Sequence, residues 1–153
     1  MLTQAIKNTI KIRADEFEID TDLVTAFVMV ESSGNPRATR YEANFYKRYI
    51  VPMKLKDLED AIGRATSYGL MQIMGQVARE KGFKGAFEEL FDPAVNLFWS
   101  LKHLKYFIKK YEPSLDDAIA SYNAGSPRKD ELGKYRNQAY VNKIHKQLQT
   151  LKG

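Results

Sequence analysis

Glu31 is the acidic side chain whose position in the sequence best suits acid–base chemistry. It lies four residues after Phe27 and eight after Leu23, at the edge of the apolar stripe of a helix predicted from Asp22 to Glu31. A carboxyl group there is partly removed from water, which favours its neutral form and raises its pKa. It could hold a proton near neutral pH and act as a general acid. A glutamate at a helix end can equally make a local hydrogen bond and nothing more.

Other residue types that commonly carry catalysis are absent or badly spaced. The chain has no cysteine, which excludes thiolate nucleophiles, thiolate zinc sites and iron–sulfur clusters. Its two histidines, His103 and His145, form no ligand-spaced cluster, and His103 is predicted to lie among lysines on a solvated face. No serine lies in a nucleophile-elbow sequence, and no glycine-rich phosphate loop is present. We therefore expect no metal and no cofactor.

The positioning elements are predicted to be mostly helices. Helical periodicity covers residues 2–17, where Leu2, Ile6, Ile10 and Ile12 are expected near one face, and then residues 22–31. Further helices are predicted from Gly69 to Lys81, from Asp92-Pro93 to about Ile108, from Ser114 to Tyr122 and from about Tyr135 to Leu151. Residues 37–67 show no clear period, so any β-structure is expected there. The predicted fold class is a predominantly helical α+β domain.

The composition fits a single domain with a basic surface. The 153 residues include 24 Lys and Arg against 19 Asp and Glu, which gives a formal charge of +5. No stretch is long and apolar enough for a transmembrane helix, and the N-terminal segment lacks the apolar core of a secretory signal peptide. The charge favours an anionic partner, either nucleic acid, an acidic membrane surface or bacterial cell wall, and does not choose among them.

An aromatic and basic stretch lies within the irregular region. Its aromatic rings could stack on sugars or on bases, and the interpretation we favour is a small satellite core. The stretch contains Tyr41, Phe45, Tyr46 and Tyr49 with Arg40, Lys47 and Arg48.

Three short sequence motifs follow one another along the chain: ESSGNP at 31–36, YGLMQIM at 68–74 and ASYNAG at 120–125. A fourth string, YVNKI at 140–144, resembles a late tyrosine–valine helix motif. Together they resemble the catalytic domain of soluble lytic murein transglycosylases, the goose-type-lysozyme-like branch of the lysozyme superfamily. The resemblance covers about residues 22–145 and implies one lysozyme-like domain over residues 1–153.

The resemblance implies a substrate and a reaction. The substrate is the β-1,4 bond between N-acetylmuramic acid and N-acetylglucosamine in peptidoglycan. Glu31 is implied to protonate the glycosidic oxygen and then to act as a base toward the C6 hydroxyl of the muramic residue, which leaves a 1,6-anhydro end. One acid is then sufficient, since the substrate supplies its own nucleophile.

The motif matches also imply which residues meet the glycan. Gln72 and Met74 are expected to line the groove, with Gln72 hydrogen-bonded to an N-acetyl group or a ring substituent. Gly69 is expected where the backbone comes close to the ligand or to Glu31. Tyr140 is expected to belong to the same site.

Three further residues are implied to support the acid. Tyr122 is expected close to Glu31, where it would orient the carboxyl or stabilise the charged transition state. Asn123 is expected to buttress that turn, and Ser32 to fix the backbone at the end of the helix that carries the acid.

The chain also departs from the resembled pattern. The spacing from Glu31 to Gly69 is 38 residues (69 − 31), and the surplus falls in residues 40–62. Gly75 stands where the family often has proline, and Arg136 stands four residues before Tyr140, where the family often has glutamate.

The insertion supplies a second acid, Glu42, and with it an alternative mechanism. If Glu42 faces the cleft at roughly 6.5–9.5 Å from Glu31, it could activate water, and the enzyme would be an inverting muramidase. Glu42 could equally pair with Arg40 or Arg48 and carry no chemistry.

The remaining hypotheses concern class and setting. A non-catalytic module that binds wall glycan, or a basic nucleic-acid-binding domain, would suit the charge but leave Glu31 unexplained. We expect a monomer that acts on peptidoglycan, with no nucleic-acid partner and no stable membrane insertion. Its expected place is the cell wall, in the periplasm or outside the cell. A bacteriophage endolysin, a virion-associated lysin, a bacterial exported enzyme and a secretion-system helper are all compatible with the sequence.

Overall fold

The computed structural model describes residues 2–153, and most of them lie in helices. In this part of the chain the α-helices are α1 (Gln4–Phe17), α2 (Thr21–Ser32), α3 (Ala43–Phe45), α4 (Leu58–Arg64), α5 (Gly75–Lys81), α6 (Pro93–Lys110), α7 (Leu115–Ala124) and α8 (Gln138–Lys152). Three short strands are β1 (Thr39–Tyr41), β2 (Thr66–Tyr68) and β3 (Ile73–Met74). A π-helical turn (Tyr46–Ile50) and two 3-10 turns (Val51–Met53 and Phe87–Phe91) complete the regular structure.

The first two helices are fixed by their caps. Side-chain oxygens of Thr3 and Asp20 accept hydrogen bonds from backbone N–H groups at the starts of α1 and α2. Ser33, with a left-handed φ of 54°, caps the end of α2. The prediction that Ile12 shares the buried face of α1 is wrong, because its side chain is 64% exposed. It follows the buried Ile10 by two residues, which is about half a turn of helix, so it points away from the core.

Helix α6 runs through the centre of the fold. Asp92 accepts hydrogen bonds from the backbone N–H groups of Ala94 and Val95, and Pro93 occupies the first helical position, as the sequence predicts. The helix packs against α1 on one side and α7 on the other, while α2 lies along α8. The largest fully buried side chains of this core include Phe27, Leu97, Leu101, Leu104, Ile119 and Ile144.

The helix predicted over residues 69–81 begins only at Gly75, so this prediction is wrong for residues 69–74. That segment is a turn followed by β3, and it is held by Asn96, a buried residue of α6. The Asn96 amide donates to the carbonyl oxygens of Tyr68 and Leu90 at 2.8 and 2.9 Å and accepts from the N–H of Met71 at 3.1 Å. A tertiary polar anchor thus replaces the local helical hydrogen bonds.

Gly75 lies where α4 and α5 touch. A Cβ atom at this position would clash with the carbonyl oxygen of Gly63, and a Cβ on Gly63 would clash with the ring of Phe87. Glycine, rather than the proline often found in the resembled family, therefore stands at residue 75 where two short helices approach each other closely.

The irregular region forms one wall of the molecule. Its strands pair in the antiparallel order β1-β2-β3, with Thr39 opposite Tyr68 and Ser67 opposite Met74. The expectation of β-structure in residues 37–67 is confirmed for β1 and β2, and β3 lies just beyond it. Between β1 and β2, Ile50 and two alanines of the α4 region form a small buried cluster of their own.

Helix α8 begins at Gln138, three residues after the predicted start at Tyr135. Tyr135 instead pairs with Lys129 in an isolated antiparallel bridge, which closes the loop after α7. The α+β class with predominantly helical structure is confirmed.

Candidate active site

The last turn of α2 carries Glu31 and is tied to the YGLMQIM segment. The Ser32 hydroxyl donates a hydrogen bond to the carbonyl oxygen of Leu70 at 2.8 Å and accepts one from the N–H of Gly34 at 3.2 Å. Ser33 and Gly34 both have positive φ, so the chain turns away sharply just after the acid. Glu31 is thereby held at a fixed place where α2 ends.

Among the residues that the structure describes, the carboxyl group of Glu31 has one side-chain hydrogen-bond partner, Tyr140 of α8. The Tyr140 hydroxyl donates to Oε2 of Glu31 at 2.6 Å. Burial raises the pKa of Glu31 to about 7, although the hydrogen bond from Tyr140 and the positive charge of Arg40 act in the opposite direction. The carboxyl is therefore substantially protonated near neutral pH, as a general acid must be.

Tyr122 lies beside Glu31, but its hydroxyl is not hydrogen-bonded to the Glu31 carboxyl. Its hydroxyl donates to the carbonyl oxygen of Met71 at 2.8 Å, and its ring packs edge-on against Phe27 at 5.0 Å. Burial first, and then the charge of Glu31, raise the pKa of Tyr122, so it stays neutral. The sequence predicts Tyr122 as the residue that orients Glu31, whereas the hydrogen bond to Glu31 comes from Tyr140.

A cleft of about 910 Å³ opens over these residues. Its size lies within the range of small-molecule and saccharide sites. Among the site residues predicted from the sequence, the cleft is lined by Glu31, Glu42, Gln72, Met74, Tyr122, Asn123 and Tyr140. Ser32 and Gly69 do not line it.

Gly69 and Gln72 shape the turn before β3, where only Gln72 lines the cleft. Gly69 has a φ of +73°, and a Cβ there would clash with the amide of Asn96 and the carbonyl of Leu90. The close approach that the structure shows for Gly69 is therefore to Asn96 and Leu90, and its approach to the ligand or to Glu31 stays a prediction. The Gln72 amide nitrogen donates to the carbonyls of Ala38 and Gly69 at 2.9 and 3.0 Å. Both of its protons are used, which leaves the Oε1 atom of Gln72 as an acceptor for a ligand N–H.

Asn123 is braced from the loop before α8. The side-chain amide of Asn137 donates to Oδ1 of Asn123 at 2.9 Å and to the carbonyl of Ala120 at 3.0 Å. These bonds join the end of α7, which carries Tyr122, to the start of α8, which carries Tyr140. Both tyrosines line the cleft.

Glu42 lines the same cleft but belongs to an ion pair. Nε of Arg40 lies 3.2 Å from a carboxylate oxygen of Glu42, and Arg40 also lines the cleft. Of the two partners considered for Glu42, the structure selects Arg40. Arg48 instead lies over the ring of Tyr49, at 5.2 Å from its centroid.

The aromatic stretch of the insertion has two roles. Phe45 and Tyr46 pack against the small cluster around Ile50, so the predicted satellite core exists. Phe45 and Tyr49 also line the cleft, with ring centroids 4.9 Å apart. The insertion therefore adds an aromatic rim opposite the buried acid.

The prediction of a solvated face for His103 is wrong. His103 lines the cleft and packs against the rings of Phe107 and Tyr122, at 4.8 and 5.5 Å. Its buried Nδ1 has no hydrogen-bond partner in the described part of the chain, and burial lowers the pKa of His103 to about 4, so the ring is neutral. The spacing of four residues to Phe107 on the same helix was the sequence signal for this burial. Within residues 2–153, no three His, Asp or Glu side chains lie close enough together to hold a metal ion.

Comparisons with known proteins add two findings. A family model described as "Transglycosylase SLT domain" matches residues 8–145. A curated protein of Buchnera aphidicola subsp. Acyrthosiphon pisum (strain APS), "Membrane-bound lytic murein transglycosylase E", is 30% identical over 122 residues, which are 71% of this chain and 45% of that relative. The chain thus spans less than half the length of this relative. None of the helices between residues 2 and 153 has the length and apolar character needed to cross a bilayer.

Proposed function

We propose that this chain, which belongs to the transglycosylase SLT domain family, cleaves the β-1,4 bond between N-acetylmuramic acid and N-acetylglucosamine in peptidoglycan. The observation that carries the proposal is the state of Glu31. Its carboxyl group lies in a cleft large enough for sugar residues, has a pKa raised to about 7 by burial, and has a fixed hydrogen-bond partner in Tyr140.

In the first step Glu31 acts as the general acid. Its proton passes to the glycosidic oxygen while the bond from that oxygen to C1 of the muramic residue breaks. Glu31 becomes a carboxylate, and the hydrogen bond from Tyr140 strengthens because its acceptor now carries a charge. Positive charge develops on the muramic ring next to this carboxylate.

In the second step Glu31 acts as the base. The C6 hydroxyl of the muramic residue attacks C1 of the same ring and gives its proton to Glu31. The products are a strand with a 1,6-anhydro-muramic end and a strand with a free GlcNAc hydroxyl, and the enzyme recovers its proton. No water is consumed and no second carboxylate takes part.

A second candidate, favoured by the place of Glu42 in the cleft wall, is hydrolysis of the same bond. Glu42 would then remove a proton from water on the far side of the sugar. The ion pair with Arg40 argues for the transglycosylase, because it holds Glu42 to the insertion and already occupies one of its oxygens.

Product analysis separates the two reactions. Digestion of purified peptidoglycan in H2(18)O, followed by mass spectrometry, is expected to give anhydro ends without the heavy isotope. Reducing ends that carry the isotope would instead identify a muramidase. Glu31→Gln is expected to give neither product while it still binds insoluble peptidoglycan, and Glu88→Gln, at an exposed position outside the cleft, serves as the matched control. Unchanged cleavage by Glu31→Gln would mean that another acid carries the reaction, and binding without cleavage by the parental chain would identify a wall-binding module.

The setting follows from the substrate. We propose that residues 1–153 act as one catalytic domain and as a monomer on the cell wall, in the periplasm or outside the cell, with a bacteriophage lysin as one form of this role. A net charge of +5 favours retention on an anionic wall.

A further inference from the structure

A second cavity, here called the arginine recess, opens beside the cleft. Its volume is about 430 Å³, and its walls come from Arg48 of the π-helical turn, Arg128 and Arg136 of the loop between α7 and α8, and Asn137. Its remaining walls are Tyr49 and the chain at 124–126. Three of its side chains are cationic, and no aspartate or glutamate lines it.

The three arginines have no carboxylate partner within the described chain. Arg48, Arg128 and Arg136 are exposed, and none of them forms an ion pair in residues 2–153. Two of them share a hydrogen-bonded loop, because the N–H of Arg136 donates to the carbonyl of Arg128 at 2.9 Å and a second backbone bond joins Asp130 to Lys134. A group of cations without anions is suited to bind a ligand that supplies the negative charge.

The recess is continuous with the cleft. Tyr49, Ala124 and Gly125 line both cavities, so a ligand seated over Glu31 can extend into the recess without leaving the surface. An anion in the recess can therefore be a branch of the same substrate molecule.

We infer that the arginine recess binds the carboxylates of the peptide that branches from the muramic residue of peptidoglycan. This inference rests on the proposed function and extends it to substrate selection. The glycan backbone of peptidoglycan carries no charge, whereas its stem peptide carries free carboxylates on a flexible chain. Arginine matches a carboxylate with two parallel N–H donors, which makes three of them a selective site for this branch. The same donors would also suit phosphate, so the two anions must be distinguished by experiment.

Two of the three arginines stand where the chain departs from the resembled family pattern. Arg48 comes from the long segment between Glu31 and Gly69, and Arg136 stands where the resembled family often has glutamate. Both departures add positive charge to one cavity, so a shared use is a simpler account than two unrelated changes.

The test compares three substrates that differ only in the branch. They are glycan strands free of teichoic polymers with intact stem peptides, the same strands stripped by an amidase, which keep only the lactyl carboxylate of the muramic residue, and strands whose stem carboxylates are amidated. The variant is R48Q/R128Q/R136Q, and the control is K84Q/K109Q/K146Q, which removes the same charge at exposed positions outside both cavities.

The recess variant is expected to lose about tenfold in kcat/KM on intact strands, mainly through KM, so that intact strands become no better than stripped or amidated ones. The lysine control is expected to keep the preference for intact strands. An equal loss on all three substrates, the same loss in the lysine control, or no loss at all would overturn the assignment.

Binding measurements separate this inference from the proposed function. The Glu31→Gln chain is expected to bind a disaccharide-tetrapeptide about tenfold more tightly than the disaccharide alone, and to lose that difference when the three arginines are also replaced. If the preference is present while the parental chain cleaves no peptidoglycan, the recess assignment holds and the proposed function fails. If the preference is absent, the assignment is wrong whatever the activity. Inorganic phosphate is expected to compete only weakly, and phosphate that binds more tightly than the disaccharide-tetrapeptide would identify a phosphate site instead.

Discussion

The two walls of the cleft are built in different ways. On the inner wall, Glu31 and Tyr140 are partly buried, joined by a 2.6 Å hydrogen bond and carried by two long helices that pack along each other. On the outer wall, Arg40 and Glu42 pair at 3.2 Å at the edge of a short strand, and the Arg40 side chain is 76% exposed. Burial shifts the pKa of the inner acid, while solvent screens the outer pair. The proposed function therefore places proton transfer at the inner wall and predicts only substrate contact at the outer one.

The largest expected contrast is between the same substitution on the two walls. Glu31→Gln should lower kcat/KM by about a thousandfold or more, because it removes the only proposed proton donor. Glu42→Gln should lower it by less than about tenfold, since an exposed ion pair contributes little. Steady-state turnover of soluble glycan strands measures both. If both variants were inactive, the two walls would share the chemistry and hydrolysis would become the better account.

The ionised carboxyl of Glu31 should lower the free energy of unfolding, because it is buried in the inner wall. A carboxyl whose pKa is raised from 4.5 to about 7 by folding destabilises the folded state progressively as the pH rises through that interval. Glu31→Gln does not titrate, so its stability relative to the parental chain should increase from pH 4 to pH 8 by up to about 3 kcal/mol.

Urea unfolding at the two pH values measures this change. The surface variant Glu88→Gln should stay within about 0.5 kcal/mol of the parental chain at both. A stability difference for Glu31→Gln that does not depend on pH would contradict the raised pKa.

The hydroxyl groups of two cleft tyrosines provide the next contrast. Tyr140→Phe removes the hydrogen bond to Glu31 and should lower kcat by about tenfold to a hundredfold, since hydrogen bonds to charged groups contribute about 1.5–3 kcal/mol. It should also raise the pKa of Glu31 further and move the alkaline limb of the pH–rate profile upward. Tyr49→Phe, on the outer rim, should leave that limb in place. A common shift in both variants would remove the distinction between the walls.

Much of the inner wall could be predicted from the sequence. Glu31 lies at the end of a periodic apolar helix, and local rules for caps and for glycine or proline determine where α2 and α6 begin and end. The strings that carry the resemblance all lie at this wall or just behind it. Helix periodicity, capping residues and motif spacing are sufficient to predict a functional group that lies at the end of a helix.

The contacts that complete the site are long-range, and the sequence gives no local signal for them. Tyr140 reaches Glu31 across 109 positions, and Asn96 reaches the backbone of Met71 across 25. The buried amide of Asn96 overrides the helical pattern that predicts a helix from Gly69. Each of these outcomes depends on how the helices pack, which periodicity alone does not determine.

The smallest expected effect concerns the charge that the outer wall exerts on the inner acid. The guanidinium of Arg40 lowers the pKa of Glu31, so Arg40→Gln should move the alkaline limb of the pH–rate profile to higher pH. Arg48→Gln serves as the matched control. It removes the same charge from the insertion, and Arg48 is not among the groups that shift the pKa of Glu31. An unmoved limb in Arg40→Gln would show that solvent screens this charge fully.

The most direct test is the titration of Glu31 itself. Carboxyl carbon NMR of the chain labelled at glutamate, with Glu31→Gln to assign the resonance, reports its protonation without substrate. We expect a midpoint at about 7 that coincides with the alkaline limb of kcat/KM. A midpoint near the ordinary value of 4.5 would mean that Glu31 holds no proton at neutral pH, and would contradict its role as the acid.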